Sequence, residues 1–115
     1  MIDSEQRQRE RMTVGARLIA GVCAIADTPF VEDVENHFAG YFNELAITVR
    51  LRDGASDEDV IALQNKLLDF LNTGEAAFSP DFTWMVKFSR GGKSMRSLFP
   101  GDVPRSTSED LEETE

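Results

Sequence analysis

Two stretches of the chain alternate between apolar and polar residues almost without interruption, and they limit the fold more than any other feature. Side chains of a β-strand point alternately to opposite faces, so each stretch predicts a strand with one buried and one solvated face. The residues assigned to the buried faces are Leu45, Ile47, Val49, Leu51, Phe82, Trp84, Val86 and Phe88. An amphipathic helix-forming segment lies between the two stretches. Together these elements predict an α+β fold with helices on one face of a sheet.

The order of elements follows from the same periodicities. We predict a helix over 4–26, a short helix or a strand over 30–39, a strand over 43–53, a helix over 56–73 and a strand over 81–90. The apolar residues of 30–43 recur at helical spacing, which favours the short helix, although a strand followed by a turn fits the same residues. The helix between the two secure strands is long enough to join parallel neighbours, and it also allows antiparallel strands with a third between them.

The chain has room for one domain. Its 115 residues fit a single hydrophobic core, and the apolar fraction of 41% is ordinary for a globular domain. We assign residues 1–103 to this domain. Residues 104–115 are rich in Ser and Thr and then in acids, a composition that buries too little apolar surface to offset the entropy of ordering, so we predict a disordered acidic tail.

The charge of the chain is strongly negative and unevenly distributed. A net charge of −9 at pH 7 argues against binding along a nucleic-acid backbone, which needs a dominant basic surface. Acids dominate residues 27–75, whereas residues 87–96 carry only bases. A symmetric interface pairs each patch with its complement on the other copy, so these two regions could meet across a twofold axis.

Cysteine and histidine usage indicates a cytoplasmic protein. The single cysteine, Cys23, cannot form a disulfide within the chain, and with the single His37 it does not make a zinc site, so a reducing compartment is the default. The Arg-rich start and the apolar run after it have the outline of a secretory signal, but nearby acids offset the basic charge and Arg17 interrupts the run. No apolar run is long enough to span a bilayer.

No catalytic, cofactor-binding or metal-binding residues are predicted. The segment Gly91-Gly92-Lys93-Ser94 resembles the end of a phosphate-binding loop, but the position that needs the first glycine of that motif is Lys87. The polar face of the sheet suggests instead a site for an anion or a protein partner. The basic residues assigned to this site are Arg50, Arg52, Lys87, Arg90, Lys93 and Arg96. A pocket between helices and sheet is assigned to His37, Tyr41 and Trp84.

These features support three hypotheses of function. The favoured one is a non-catalytic acidic interaction or regulatory protein that acts through a homodimer and a protein partner, because two secure strands leave hydrogen-bonding edges that one copy does not close. The second is a small-ligand-binding protein or enzyme with a pocket between helices and sheet. The third is an acidic mimic of nucleic acid, based on the acids of residues 32–35 and 57–59.

Overall fold

The two alternating stretches become the central pair of strands in a four-stranded sheet. The computed structural model describes residues 4–40, 43–74 and 82–112. Its elements are α1 (Ser4–Ile25), β1 (Val31–Ala39), β2 (Glu44–Leu51), α2 (Asp57–Thr73), β3 (Thr83–Arg90), β4 (Lys93–Leu98) and a C-terminal 3-10 helix (Ser108–Leu111). Within the described residues, two α-helices and a mixed sheet confirm the predicted α+β class.

The sheet has the order β1-β2-β3-β4, and its central pair is parallel. The outer strands β1 and β4 each run antiparallel to their neighbour. In the central pair Ile47 lies beside Val86 and Val49 lies beside Phe88, so the apolar faces of the two strands form one continuous surface. The connection between these parallel strands contains α2, which is the first of the two arrangements that the sequence allowed.

Residues 31–39 form a strand, and the favoured prediction of a short helix in this region is wrong. Val34 pairs with Val49 of β2, and Phe38 pairs with Leu45. A spacing of four residues places side chains on one face of a helix, but because four is an even number it also places them on one face of a strand. The apolar spacing therefore fits both structures, and the pairing with β2 selects the strand.

A fourth strand, which the sequence analysis did not predict, follows a tight turn after β3. Gly91 and Gly92 form this turn with φ values of 58° and 83°, a conformation that favours glycine. A bulge in β4 opposite Lys87 shifts the register, and it breaks the alternation that would have marked a strand in the sequence. Because β1 and β4 complete the sheet within one chain, the open edges of a two-stranded sheet no longer argue for a dimer.

The core lies between the helices and one face of the sheet. All eight apolar residues assigned to the buried faces of the strands are buried. They form one cluster with the buried stripe of α2, which consists of Val60, Leu63, Leu67 and Leu71. The helix begins after Ser56 as predicted, and the Ser56 hydroxyl accepts a hydrogen bond of 3.1 Å from the backbone N–H of Asp59. This cap satisfies one of the free N–H groups at the start of the helix.

The second half of α1 packs on the same core and contacts α2. Leu18 and Val22 are buried in the same cluster as the sheet. Gly21 lies against the ring of Phe70 on α2, where a Cβ atom would overlap the ring. The absence of a side chain at Gly21 therefore allows a close approach of the two helices.

The C-terminal segment packs against α2 and β4, which differs from the disordered tail predicted from residue 104 onward. Arg105 is 4% exposed, and its guanidinium donates from Nε to Oε1 of Gln64 (3.2 Å) and from Nη2 to the carbonyl of Ser97 (2.9 Å). Burial of this guanidinium, together with the charge of Arg96, lowers the pKa of Arg105. Further along, Leu111 is buried in the main core.

Two asparagines of α2 hold the backbone of this segment. Asn65 accepts from the backbone N–H of Arg105 (2.6 Å) and donates to the Arg105 carbonyl (2.8 Å). About two turns further along the helix, Asn72 accepts from the N–H of Gly101 (3.1 Å) and donates to the carbonyl of Asp102 (3.4 Å). These bonds replace water as partners of the backbone, which explains why a polar segment packs against the fold despite its composition.

Replacement of Trp84 by alanine tests the position of the core. Trp84 is 3% exposed on the inner face of β3, so Trp84→Ala should lower the free energy of unfolding by about 3–5 kcal/mol, as measured by chemical denaturation. Thr83→Ala is the matched control on the same strand, because Thr83 is exposed, and it should change stability by less than about 0.5 kcal/mol. Equal effects of the two substitutions would contradict the assignment of the buried face.

Truncation after Pro104 tests the packing of the C-terminal segment. The shortened chain loses the buried Arg105 and Leu111 and leaves Gln64 and Asn65 without their partners. We expect it to lose about 2 kcal/mol or more of unfolding free energy, on the scale of a deleted buried leucine. A shorter truncation, after Glu112, removes none of these contacts and serves as the control. Identical melting temperatures for both truncations would contradict the observed packing.

Candidate functional site

The sheet face opposite the helices, called here the outer face, is the main candidate for a functional surface. Strand pairing places on it Asp33, Glu35, His37, Glu44, Ala46, Thr48, Arg50, Thr83, Met85, Lys87, Ser89 and Ser94. None of these side chains is buried by the described residues of the chain. The two central strands carry the charged Glu44, Arg50 and Lys87 among shorter or uncharged side chains, and β1 adds Asp33 and Glu35.

Arg50 joins β1 to β2 on the outer face. Its guanidinium lies 3.1 Å from a carboxylate oxygen of Asp33 and 2.7 Å from one of Glu35. Hydrogen bonding from Arg50, and then its positive charge, lower the pKa of Glu35, and the two carboxylates raise the pKa of Arg50. The sequence pointed to Arg50 as an anion-site residue and to the two acids as part of a nucleic-acid mimic, but their contact was not predicted because it depends on the register of β1 against β2.

Charge is distributed unevenly over the outer face. On β1, two carboxylates share one arginine, so this strand keeps a net negative charge. Lys87 is exposed on the central strand β3, where it pairs with Thr48 of β2. Among the described residues Lys87 has no ion-pair partner.

The six predicted basic residues do not form one anion site. Arg52 donates from Nε to the carbonyl of Pro29 (3.1 Å). Arg90 lies 2.8 Å from a carboxylate oxygen of Asp57 and donates to the carbonyl of Ala55 (3.1 Å). Of the remaining members, Arg50 is held by acids, while Lys87, Lys93 and Arg96 lie along the β3–β4 hairpin. Three of the six predicted basic residues, Arg50, Arg52 and Arg90, are therefore already bound by groups of the chain itself.

An open groove of about 800 Å³ lies between this hairpin, the start of α2 and the C-terminal 3-10 helix. Its lining residues carry both signs of charge: Asp53, Asp57, Arg90, Lys93 and Glu112 are among them. The ion pair between Arg90 and Asp57 balances two of these charges. A site for a charged ligand needs polar groups of one kind that converge on it, and this groove offers a balanced mixture.

The predicted pocket does not bring its described members together. His37 is exposed on the outer face and pairs with Ala46, whereas Trp84 is buried on the inner face. Tyr41 lies outside the described residues. The acids behind the third hypothesis are also separated: Asp33 and Glu35 lie on the outer face, and the acidic first turn of α2, residues 57–59, belongs to the helix that packs against the opposite face.

Comparison with known protein families, with curated proteins and with solved structures found no match for this chain. Within the described residues, no helix combines the length and the apolar character needed to cross a membrane. The same part of the chain holds no group of three His, Cys, Asp or Glu residues placed to bind a metal ion.

Replacement of Arg50 by glutamine tests the outer-face ion pairs. In Arg50→Gln the pKa of Glu35 should rise toward the ordinary value of a glutamate, since both effects that lower it come from Arg50. Titration of side-chain carboxyl resonances by NMR measures this shift directly. Arg52→Gln is the control, because Arg52 is exposed and bonds to a carbonyl rather than to a carboxylate, and it should leave the Glu35 titration unchanged.

The same substitution should change the pH dependence of stability in a defined direction. The pKa of Glu35 is lower in the folded chain than in the unfolded chain, so the contribution of its ion pair is complete above the unfolded pKa. That contribution is lost as the pH falls through the folded pKa. The stability difference between wild type and Arg50→Gln should therefore shrink on acidification, and a constant difference would contradict the coupling.

Proposed function

We propose that this chain is a non-catalytic acidic interaction protein that acts as a homodimer and binds a protein partner. The observation that carries the proposal is the outer face beside a parallel pair of strands. Wholly parallel sheets are generally covered on both faces. In this mixed sheet the described residues cover the parallel pair β2 and β3 on one face only. A protein bound on the outer face covers this second side of the sheet.

The shape and chemistry of the outer face support this assignment. Ala46, Thr48, Met85 and Ser89 occupy its centre and are half-buried by their neighbours alone, so a partner needs to displace little water from them. Arg50 and Lys87 lie beside them on the same two strands. Arginine is enriched in protein–protein interfaces.

The overall charge favours a protein rather than a nucleic acid as the further partner. A chain with net charge −9 repels a phosphate backbone, and three of its candidate cations are already bound within the fold. The separation of His37 from Trp84 favours a binding role over an enzyme with a pocket at those residues. We further propose the cytoplasm as the setting, because the only cysteine is unpaired.

The mass of the protein in solution tests the proposal. Sedimentation equilibrium across the micromolar range should give a mass that rises toward twice the 12.8 kDa of one chain. The full chain is used, so the C-terminal segment stays in place. A mass that remains at 12.8 kDa at every concentration would contradict the homodimer.

A further inference from the structure

We propose that the open edge of β1 binds an extended basic segment of the protein partner, which pairs with β1 as an additional strand of the sheet. This inference rests on the proposed function, because it specifies the chemistry and the conformation of the partner that the proposed function requires. Binding of such a segment to β1 does not require the homodimer, so the two parts of the proposed function can fail separately.

The two edges of the sheet, β1 and β4, differ in how the described chain covers them. The C-terminal segment packs beside β4, where Arg105 donates from Nη2 to the carbonyl of Ser97 (2.9 Å). In contrast, β1 pairs with β2 on one side, and no described strand pairs with it on the other. Every second residue of an edge strand points its N–H and C=O away from the sheet, so β1 offers a row of donors and acceptors to an added strand.

The geometry of β1 suits an added strand. Its register against β2 is regular from Asp33 to Ala39, a stretch of roughly 20 Å at the rise of a strand, which is enough to pair with a strand of ordinary length. Val31 and Val34 pack against the core but stay half-buried, and Asn36 is exposed although it lies on the inner face. Apolar side chains of an added strand would extend the core at this edge.

The charges of β1 determine which kind of strand it accepts. Asp33 and Glu35 are exposed on the outer face, and Glu32 is exposed at the irregular start of the strand. Within the described part of the chain, Arg50 is the base that pairs with Asp33 and Glu35, so β1 keeps surplus negative charge. Opposite charges that face each other on neighbouring strands stabilise the pairing. Lys or Arg at alternate positions of the added strand would therefore complement Asp33 and Glu35.

The same charges disfavour a second copy of the chain at this edge. β1 contains three acids and neither Lys nor Arg, so pairing with its own counterpart brings no base to the acids of either copy. Charged side chains on edge strands commonly prevent association of one edge with another. The acids of β1 oppose an acidic strand and still admit a basic one, which makes the edge selective.

A short peptide that alternates lysine with valine and is blocked at both ends serves as the probe. NMR titration of the labelled full chain should detect its binding at β1, whereas a peptide that alternates glutamate with valine should not bind. A version of the lysine peptide with every backbone nitrogen methylated keeps the side chains and charges but loses its N–H donors. It should bind at least about tenfold more weakly, because main-chain hydrogen bonds supply the affinity of an added strand.

Substitutions in the chain test the charge pairs separately. Asp33→Asn combined with Glu35→Gln should weaken binding of the lysine peptide at least about threefold, because two cross-strand charge pairs are lost. Glu58→Gln combined with Asp69→Asn makes the same charge change at exposed positions of α2, which packs against the other face, and should bind like wild type. Thermal unfolding verifies that both variants fold, and the comparison of peptides on wild type decides the matter if one does not.

Each failure gives a distinct result. Equal binding of the lysine peptide and its methylated version, or no binding of the lysine peptide at millimolar concentration, overturns the added strand while the homodimer stands. Slow hydrogen exchange of β1 amides that depends on protein concentration, without peptide, identifies a second copy as the occupant and also overturns the proposal. A monomer mass in sedimentation equilibrium contradicts the homodimer alone, and binding of the lysine peptide then still supports the added strand.

Discussion

Because β2 and β3 run parallel, the chain must return from one end of the sheet to the other between them, and α2 lies on that return path. The return path commits α2 to one face, where its buried stripe meets the apolar rows of both strands. The antiparallel strands β1 and β4 then extend the sheet on each side. This pairing therefore determines which face holds the core and which face stays open.

The side chains of the outer face partly explain how this side of the parallel strands stays exposed to solvent. Arg50 of β2 pairs with two carboxylates of β1, which links the two strands on this face. Among the described residues, Lys87 of β3 has no such partner. This distribution of charge arises from residues that are distant in sequence and are brought together by strand register.

Local patterns predicted the elements that depend on local physics. The alternation around Ile47 and Trp84 indicated two strands with correct buried faces, and Ser56 marked the start of α2. Elements that depend on distant partners were less predictable. The apolar spacing of β1 fits both a helix and a strand. The bulge in β4 interrupts the alternation of its apolar and polar residues. The C-terminal segment is held by hydrogen bonds to Asn65 and Asn72 of α2. The ion pairs of Arg50 were out of reach for the same reason, because they need the register of β1 against β2.

A chain with net charge −9 resists association with its own copy, so any dimer must counter that repulsion. At physiological ionic strength, exposed charges separated by more than about 8 Å are largely screened from one another. Charges that face each other across a packed interface are closer than this and lose much less of their interaction. In the proposed homodimer, charges within the interface therefore count for more than the acids elsewhere on the surface, and the net charge alone does not decide whether two copies associate.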